Sequence, residues 1–387
     1  MMDGWIESWP KFDLERRSQV LRDALAQRSE DARLHIMCGE AFSEAKRYEE
    51  ALRHFETAVR QAPELAAGWS GKATSLRKLG RPAEVIALCD NWRGNVADRE
   101  FHRGRALIRL GEAAAGEAVL RRLVRVERRQ GGALRALLES LARAGDGAEI
   151  LATLEQIDGE QRATALARAY RAAALSMLGR TDEACTLVDL GQCVGRYRFR
   201  PSAGLGSTEE FNDRLANIIL AATPPDQTGN DAVLNYQAPL SPGPEIRALR
   251  TFFRDSVVDY LQRNEVVLAA ANMPPAPRRA DLSLGTVVLR RGARNGQHIH
   301  PISHVSAVYH VRVPDRAAGN NPHDGALVLG PCDLLTGGHR ACWGERYVEA
   351  SGGWLTIFPS HVFHDVMPTH RDAPRISVVS DVIPKLG

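Results

Sequence analysis

Three histidines near the C-terminus have the types and spacing of a metal site. His298 and His300 stand two residues apart in an extended stretch, and their rings point to one side because side chains alternate along a strand. His364 follows 64 residues after His300, just beyond an apolar stretch at Gly353–Phe358. Such a set suits Zn, Mn, Ni or Fe, and on an octahedral iron it leaves three positions for a bidentate cosubstrate and dioxygen. A pair of surface histidines is the alternative interpretation of His298 and His300 taken alone.

An arginine and a serine add a second chemical signal. Arg375 comes eleven residues after His364, and Ser377 follows it on the same face of a predicted strand. A guanidinium and a hydroxyl on one face can bind a carboxylate through a charge-assisted contact. A site for 2-oxoglutarate has this requirement, because the keto acid chelates iron at one end and needs a fixed cation for its far carboxylate.

Short strands separated by Gly and Pro turns must position these groups. They predict a jelly roll, a closed or double-sheet β architecture. Two helices before it, from Thr208 and over Glu245–Gln262, are expected to support one sheet, with a loop at Thr223–Pro244 between them. The strands are expected at Leu282–Arg290, His298–Ile302, Val305–Val313, Ala326–Leu329, Arg346–Glu349, Gly353–Phe358 and Arg375–Val382.

The first half of the chain has a helical pattern that breaks at regular intervals. The breaks lie at Lys46, Gly80, Gly111, Gly145 and Gly179, at intervals of 34, 31, 34 and 34 residues. A period near 34 with a turn inside each repeat indicates stacked helical hairpins. We therefore predict an α+β multidomain chain, with a helical solenoid at 1–192 and the jelly roll with its supporting helices at 193–387.

The composition narrows the class of protein. Of the 387 residues 44% are hydrophobic and 25% are charged, and the net charge of +3 gives no argument for nucleic acid or an anionic membrane. Six scattered cysteines form no CxxC pair, which favours a reducing compartment. No apolar window could span a membrane, and the polar N-terminus lacks a secretory segment, so we expect a cytoplasmic protein.

One repeat of the helical half has the clearest pattern, formed by seven residues, namely Gly39, Phe42, Tyr48, Ala51, Phe55, Ala58 and Pro63. The next repeat keeps Trp69, Ala73, Leu76 and Gly80. At these offsets the helical half resembles the tetratricopeptide-repeat family. Arrays of this kind commonly bind a peptide or protein, although this one could instead support the C-terminal domain or form a homodimer.

The C-terminal half contains a series of short motifs in a fixed order, namely His298-Ile299-His300-Pro301, Ser306-Ala307-Val308-Tyr309-His310, Phe358-Pro359-Ser360, His364 and Arg375-Ile376-Ser377. With these motifs it resembles the Fe(II)/2-oxoglutarate-dependent oxygenases of the prolyl-hydroxylase type, in their bacterial and phage branch. The resemblance implies iron binding by His298 and His364, and binding of the far 2-oxoglutarate carboxylate by Arg375 and Ser377. It also implies decarboxylation of 2-oxoglutarate to succinate and CO2, coupled to hydroxylation by O2.

Three positions depart from the family pattern. His300 stands where these enzymes carry aspartate, Ala307 replaces a glycine, and His310 replaces a tyrosine that often lines the cosubstrate pocket. We expect His298, His300 and His364 to be the catalytic metal ligands, with Tyr309 and His310 joining Arg375 and Ser377 in cosubstrate binding. His304, His310 and His361 are otherwise expected outside the ligand set, and Asp365 is a poor substitute for the missing carboxylate.

Three functions are consistent with the sequence. The first is a hydroxylase that uses Fe(II) and 2-oxoglutarate on a protein or peptide recruited by the repeats. The second is a three-histidine, cupin-like metalloenzyme that does not use 2-oxoglutarate, which Arg375 and Ser377 argue against. The third is a non-catalytic repeat scaffold with a degenerate oxygenase domain.

Overall fold

The structure is a computed structural model that describes residues 14–127, 131–222, 233–235, 243–314 and 323–385. These residues form two compact units. The first extends to Leu141 and includes Glu155–Asp158, and the second contains Ala142–Leu154 and the residues from Gly159 onward.

The first unit is built from consecutive antiparallel helices. Each packs against its neighbour in sequence, so the helices form hairpins as the repeat period predicts. Its helices are α1 (Leu14–Gln27), α2 (Ala32–Glu44), α3 (Tyr48–Gln61), α4 (Ala66–Lys78), α5 (Pro82–Asp90), α6 (Val96–Arg109) and α7 (Ala113–Val126). Two further helices, α8 (Gly131–Arg143) and α9 (Gly147–Gln156), each continue from one unit into the other.

The five predicted breaks are turns in the left-handed backbone region. Their φ angles are 59° at Lys46 and 72°, 90°, 74° and 71° at the four glycines. After four of the five turns, the N–H of the following residue donates to the carbonyl five residues back, at 2.9–3.0 Å. This is the Schellman ending of a helix, which requires a residue that tolerates positive φ, usually glycine. The turn chemistry therefore explains the period that the sequence shows.

Phe55 is the centre of the first hairpins. Its ring is 2% exposed and lies against the two glycines Gly39 and Gly71, where an added Cβ would come within 2.7 and 2.3 Å of it. Small residues at these positions let neighbouring helices approach, and Phe55 fills the space between them.

The second unit contains the remaining helices and all the strands of the described chain. Its helices are α10 (Gly159–Arg162), α11 (Ala165–Met177), α12 (Thr181–Leu187), α13 (Thr208–Ala221), α14 (Pro244–Arg263) and α15 (Glu265–Ala270). Its strands are β1 (Gly195–Arg198), β2 (Val233–Asn235), β3 (Ala280–Leu289), β4 (Val305–Arg312), β5 (Leu327–Leu329), β6 (Arg346–Val348), β7 (Trp354–Pro359), β8 (His364–Val366) and β9 (Arg375–Pro384).

These strands form two antiparallel sheets, in the orders β1-β7-β4-β9-β3-β2 and β6-β5-β8. An apolar core that includes Val287, Phe358 and Leu327 joins the facing sides of the two sheets. A second core packs α13 and α14 against the other side of the larger sheet, through Phe211 and Phe253 among others. The predicted jelly roll with supporting helices is confirmed, and the capping box of Ser207 and Glu210 begins α13 where expected.

One predicted strand does not form. Between His298 and Ile302 the only ladder contact is a bridge of His298 with His364, and Pro301 has no N–H to donate to a ladder. The predicted loop at 223–244 lies mostly outside the described residues, and its described part contains β2.

The last helical hairpin, α11 with α12, belongs to the same compact unit as the sheets. The N–H of Leu166 donates to the carbonyl of Pro301 at 3.2 Å, and the His361 Nε2 lies 2.8 Å from the carbonyl of Leu187. The first strand begins at Gly195, just after the predicted boundary between residues 192 and 193. As a domain boundary, that position stays a prediction. In the described part of the chain, no helix is both long and apolar enough to cross a bilayer.

Candidate metal centre and cosubstrate site

Backbone pairing brings the three histidines together. His298 and His364 exchange both of their main-chain hydrogen bonds, each at 3.0 Å, and the N–H of His300 donates to the carbonyl of Ser360 at 3.2 Å. The segment after Gly296 therefore lies antiparallel to the turn between β7 and β8. This pairing replaces the predicted strand, and it still places the two rings beside His364.

The three imidazoles form a group that could hold a metal ion. They are the one such group of His, Cys, Asp or Glu side chains among the described residues, and one nitrogen from each lies within 4.8 Å of the others. The His300 and His364 Nε2 atoms are 3.2 Å apart. Two nitrogens on adjacent positions of an octahedral ion would be about 3 Å apart, given metal–nitrogen distances near 2.1 Å.

The Nδ1 partners decide which ring nitrogens are available. Nδ1 of His298 faces the carbonyl of Gly296 at 2.8 Å, and Nδ1 of His364 faces that of Val362 at 3.0 Å. Nδ1 of His300 lies 2.8 Å from the carboxylate of Asp381. All three partners are acceptors, so each Nδ1 carries a proton, and a ring in its neutral form then presents an Nε2 lone pair.

The surroundings keep the buried rings neutral. Burial lowers the pKa of His364 well below its ordinary value, and the nearby His298 and His300 lower it further. Burial also lowers the pKa of His298, with His300 as the next cause. Two lone pairs facing each other at 3.2 Å repel unless a cation lies against both, so the residues present fit a divalent metal.

Arg375 and Ser377 line the same cavity as the three histidines. The Arg375 side chain is 1% exposed, and it donates from Nε to the carbonyl of Gly325 at 3.0 Å. Burial lowers its pKa to about 10, so the guanidinium stays charged at neutral pH. No acidic side chain forms an ion pair with Arg375 in the described structure, and the buried Ser377 hydroxyl has no hydrogen-bond partner there. A buried cation beside an unsatisfied hydroxyl fits the far carboxylate of a dicarboxylic acid.

His310 and Tyr309 lie on opposite faces of β4. Nδ1 of His310 is 3.2 Å from the Arg375 Nη2, and as arginine can only donate, the imidazole accepts this bond and carries its proton on Nε2. Tyr309 points into the core formed with the helices, where its hydroxyl donates to Asn212 at 2.7 Å. The structure thus brings His310 against the arginine, while Tyr309 does not line the cavity.

Sequence reasoning missed Asp381, which also lines the cavity. It stands on β9 six residues after Arg375 and four after Ser377, so the alternation that groups those two extends to it. That period of two was the signal that could have identified it. Its Oδ1 accepts a hydrogen bond from Ser306 at 2.8 Å, and the Ser306 and Ser360 hydroxyls are 2.8 Å apart.

The other polar residues near the site have partners of their own. Asp365 is buried and forms an ion pair with Arg294. This pairing explains why its carboxylate does not belong to the group that could hold a metal. His304 and His361 are buried, and burial followed by the charge of Arg168 lowers their pKa values to about 4 and about 3. Neither histidine belongs to the group that could hold a metal.

Comparisons with known proteins agree with this geometry. Residues 283–381 match the family model described as "Putative 2OG-Fe(II) oxygenase", a range that contains all three histidines, Arg375, Ser377 and Asp381. No curated protein matches the sequence.

The similarities to solved structures are low. A prolyl-4-hydroxylase from Pseudomonas putida is 19% identical, with a TM-score of 0.29 over 53% of this chain and 100% of that one. A prolyl hydroxylase from Trichoplax adhaerens, solved with a hypoxia inducible factor peptide fragment, is 12% identical, with a TM-score of 0.33 over 53% of this chain and 91% of that one. YrrB, a tetratricopeptide-repeat protein with an unusual peptide-binding site, is 16% identical, with a TM-score of 0.34 over 45% of this chain and 95% of that one. Residues 283–381 of this chain are thus similar to the 2OG-Fe(II) oxygenase family model, and the helices that precede them in sequence form consecutive hairpins.

Proposed function

We propose that this chain is an Fe(II)- and 2-oxoglutarate-dependent dioxygenase that hydroxylates a protein or peptide. In this proposal, His298, His300 and His364 are the iron ligands. Residues 193–387 form the catalytic domain, and the helical array of residues 1–192 recruits the substrate. The observation that carries the proposal is one cavity lined both by three convergent imidazoles and by a buried arginine without an acidic partner in the described structure.

The chemistry divides between the bound groups and the chain. Bound iron supplies the centre at which 2-oxoglutarate, O2 and a substrate C–H bond become succinate, CO2 and a C–OH group. Arg375 and the Ser377 hydroxyl would hold the far carboxylate of 2-oxoglutarate. This contact orients the keto acid before it reacts. Holding a reactant in the productive geometry in this way raises the rate.

Two features of the chain keep the arginine effective. The neutral His310 ring accepts a hydrogen bond from the guanidinium, since burial and then the charges of Arg375 and Arg196 lower the pKa of His310 well below its ordinary value. The cavity walls include Val287, Leu327 and Phe358, which are apolar and exclude water from the charged contact. In such surroundings a guanidinium–carboxylate bond is stronger than in water.

Recruitment of a protein or peptide rests on the array. Stacked helical hairpins leave a continuous surface that proteins of this architecture use to bind extended peptides. The packing around Phe55 and the turns at Lys46, Gly80 and Gly111 support packed hairpins within the first unit rather than a loose linker.

Anaerobic reconstitution with Fe(II) and 2-oxoglutarate tests the proposal. We expect a visible metal-to-ligand charge-transfer band on addition of 2-oxoglutarate, and one succinate formed for each 2-oxoglutarate consumed once O2 is admitted. Iron-loaded protein that shows neither result would favour the three-histidine metalloenzyme without 2-oxoglutarate. Protein that binds no Fe(II) would favour the non-catalytic scaffold.

A further inference from the structure

We infer that Asp381 is a positioning residue that supplies, through His300, the negative charge that the metal centre lacks among its own ligands. The inference rests on the metal site of the proposed function, and it does not depend on 2-oxoglutarate. Two histidines and one carboxylate are the usual ligand set of non-haem iron oxygenases, and they place one negative charge at the metal. His298, His300 and His364 supply none while their rings are neutral.

The carboxylate of Asp381 stands directly behind the substituted ligand. Its Oδ2 is 2.8 Å from Nδ1 of His300, and the Nε2 of that ring faces His364 at 3.2 Å. Asp381 is therefore on the far side of the imidazole from the metal position and is not itself a ligand. The Nδ1 atoms of His298 and His364 face main-chain carbonyls, so His300 is the one member of the group with an anionic partner.

A directional set of hydrogen bonds holds this carboxylate in place. An ionised carboxylate only accepts, so Ser306 donates to Oδ1 of Asp381, and the Ser306 oxygen accepts in turn from the Ser360 hydroxyl. Ser306 and Ser360 are 3% and 0% exposed, and Ser306 stands opposite Asp381 in the pairing of β4 with β9. The His300 Nδ1–H is the remaining donor, which fixes the tautomer that turns Nε2 to the metal.

A hydrogen-bonded carboxylate behind a histidine ligand raises the basicity of the ring and orients it. His300 with Asp381 thus reproduces the charge of the missing aspartate ligand at a distance of one imidazole. This accounts for how the chain can keep a metal centre although a histidine occupies the carboxylate position.

Metal affinity in the absence of 2-oxoglutarate tests the inference. We would titrate the metal-free full-length protein with Co(II), and anaerobically with Fe(II), for the wild type, Asp381→Asn and Ser306→Ala. Asp381→Asn is expected to raise the metal Kd about 10- to 100-fold, the usual loss when such a partner is removed. Ser306→Ala is expected to raise it less, because the carboxylate remains. Asp281→Asn is the matched control, since it removes an aspartate that pairs with Lys385 at 2.9 Å outside the cavity.

A double-mutant cycle with His300→Asp separates this role from a merely structural one. His300→Asp places a carboxylate directly at the metal, so adding Asp381→Asn to it should cost less than about threefold in Kd. Unchanged affinity in Asp381→Asn, or an equal loss in both backgrounds, would overturn the inference. One further combination would overturn the inference. In it, Asp381→Asn loses metal affinity together with a lower melting temperature of the metal-free protein, while Ser306→Ala keeps the wild-type affinity.

The outcomes also distinguish this inference from the proposed function. Metal binding that depends on Asp381, in protein that gives no charge-transfer band with 2-oxoglutarate, would support the inference and refute the proposed cosubstrate. The band together with metal binding that is indifferent to Asp381 would do the reverse. Wild-type protein that binds neither metal would overturn both.

Discussion

Replacement of Arg375 should remove the affinity for 2-oxoglutarate while leaving the metal site intact. The guanidinium is fully buried and forms no ion pair with a described acidic side chain, although its Nε donates to the Gly325 carbonyl and its Nη2 to His310. Arg375→Met keeps a long, flexible side chain and removes the charge. The carboxylate of the ligand would then be buried without a cation.

The size of the effect follows from that burial. Removing one partner of a buried, hydrogen-bonded charge pair costs about 2–5 kcal/mol. At about 1.4 kcal/mol for each factor of ten, the Kd for 2-oxoglutarate should rise about 30-fold to several thousand-fold. Because Arg375 is not among the metal ligands, the Fe(II) affinity should change little.

A matched ligand isolates the contact. 2-Oxopentanoate has the same keto-acid end as 2-oxoglutarate, with a methyl group in place of the far carboxylate. Anaerobic titrations of the Fe(II)-loaded protein, followed by the charge-transfer band, should show that the wild type strongly prefers 2-oxoglutarate. Arg375→Met should bind the two acids with nearly equal affinity.

Two results would refute this reasoning. One is an Arg375→Met variant with normal Fe(II) affinity that still binds 2-oxoglutarate within about threefold of the wild type. The other is an equal loss of affinity for both acids, which would mean that the substitution damages the cavity rather than one charge pair. Arg375→Lys, which keeps the charge without the planar fork, should fall between the wild type and the methionine variant.

Three further predictions follow from other parts of the molecule. Co(II) at 100 times its Kd should stabilise the folded protein by about 2.7 kcal/mol, measured as a higher melting temperature. The His364→Ala variant should show no such gain. An equal gain in this variant would place the metal elsewhere. Lys46→Gly should stabilise the array and Gly80→Ala should destabilise it, each by about 1 kcal/mol in urea unfolding. The reason is that a side chain at positive φ is strained, and the two positions have φ angles of 59° and 72°. Changes of the opposite sign would contradict the assignment of these turns. Burial lowers the pKa of His361 from 6.5 to about 3. As the pH falls, the unfolded chain therefore binds a proton at this residue before the folded protein does. The stability that the neutral ring contributes at neutral pH is lost as the pH falls below 6.5. The free energy of unfolding should drop by roughly 2 kcal/mol more between pH 7.5 and 5 in the wild type than in His361→Gln, and parallel pH profiles would refute this assignment.

The sequence predicted the regular parts of the fold well, for physical reasons. The turns at Lys46 and the four glycines need positive φ, and such positions leave a direct mark in the residue types. The helix from Thr208 was predicted from a capping segment at that residue, where Ser207 is the actual cap, and strand β9 was predicted as one of the short strands between turns. These are local signals, and short-range energetics decide them.

The parts that were missed depend on long-range pairing. Residues His298–Ile302 have the composition of a strand, but their partner is the turn before His364, and only one bridge forms. Asp381 lies 81 residues from His300, and no local feature announces that the two side chains meet. Their contact depends on the registers of β4 and β9, which a single sequence does not state.

Alternation of side chains along β4 places Tyr309 and His310 on opposite faces. Tyr309 and His310 were both expected in the cosubstrate site, yet adjacent residues on β4 point to opposite faces. Since His310 contacts Arg375, Tyr309 had to face the helices. The same rule, applied beyond Ser377, leads to Asp381.

Strand β9 therefore determines the chemistry of the cavity more than any other element. It carries Arg375, Ser377 and Asp381 on one face, so the contact for the cosubstrate and the charge behind His300 share one register. A slip of one residue would turn all three away from the cavity. Pairing of all ten β9 residues with Ala280–Leu289 of β3, and with β4 on the other side, opposes such a slip. The position of the charges in this site is thus a property of the sheet, which explains how Asp381 on β9 can lie against His300 in a segment that forms no strand of its own.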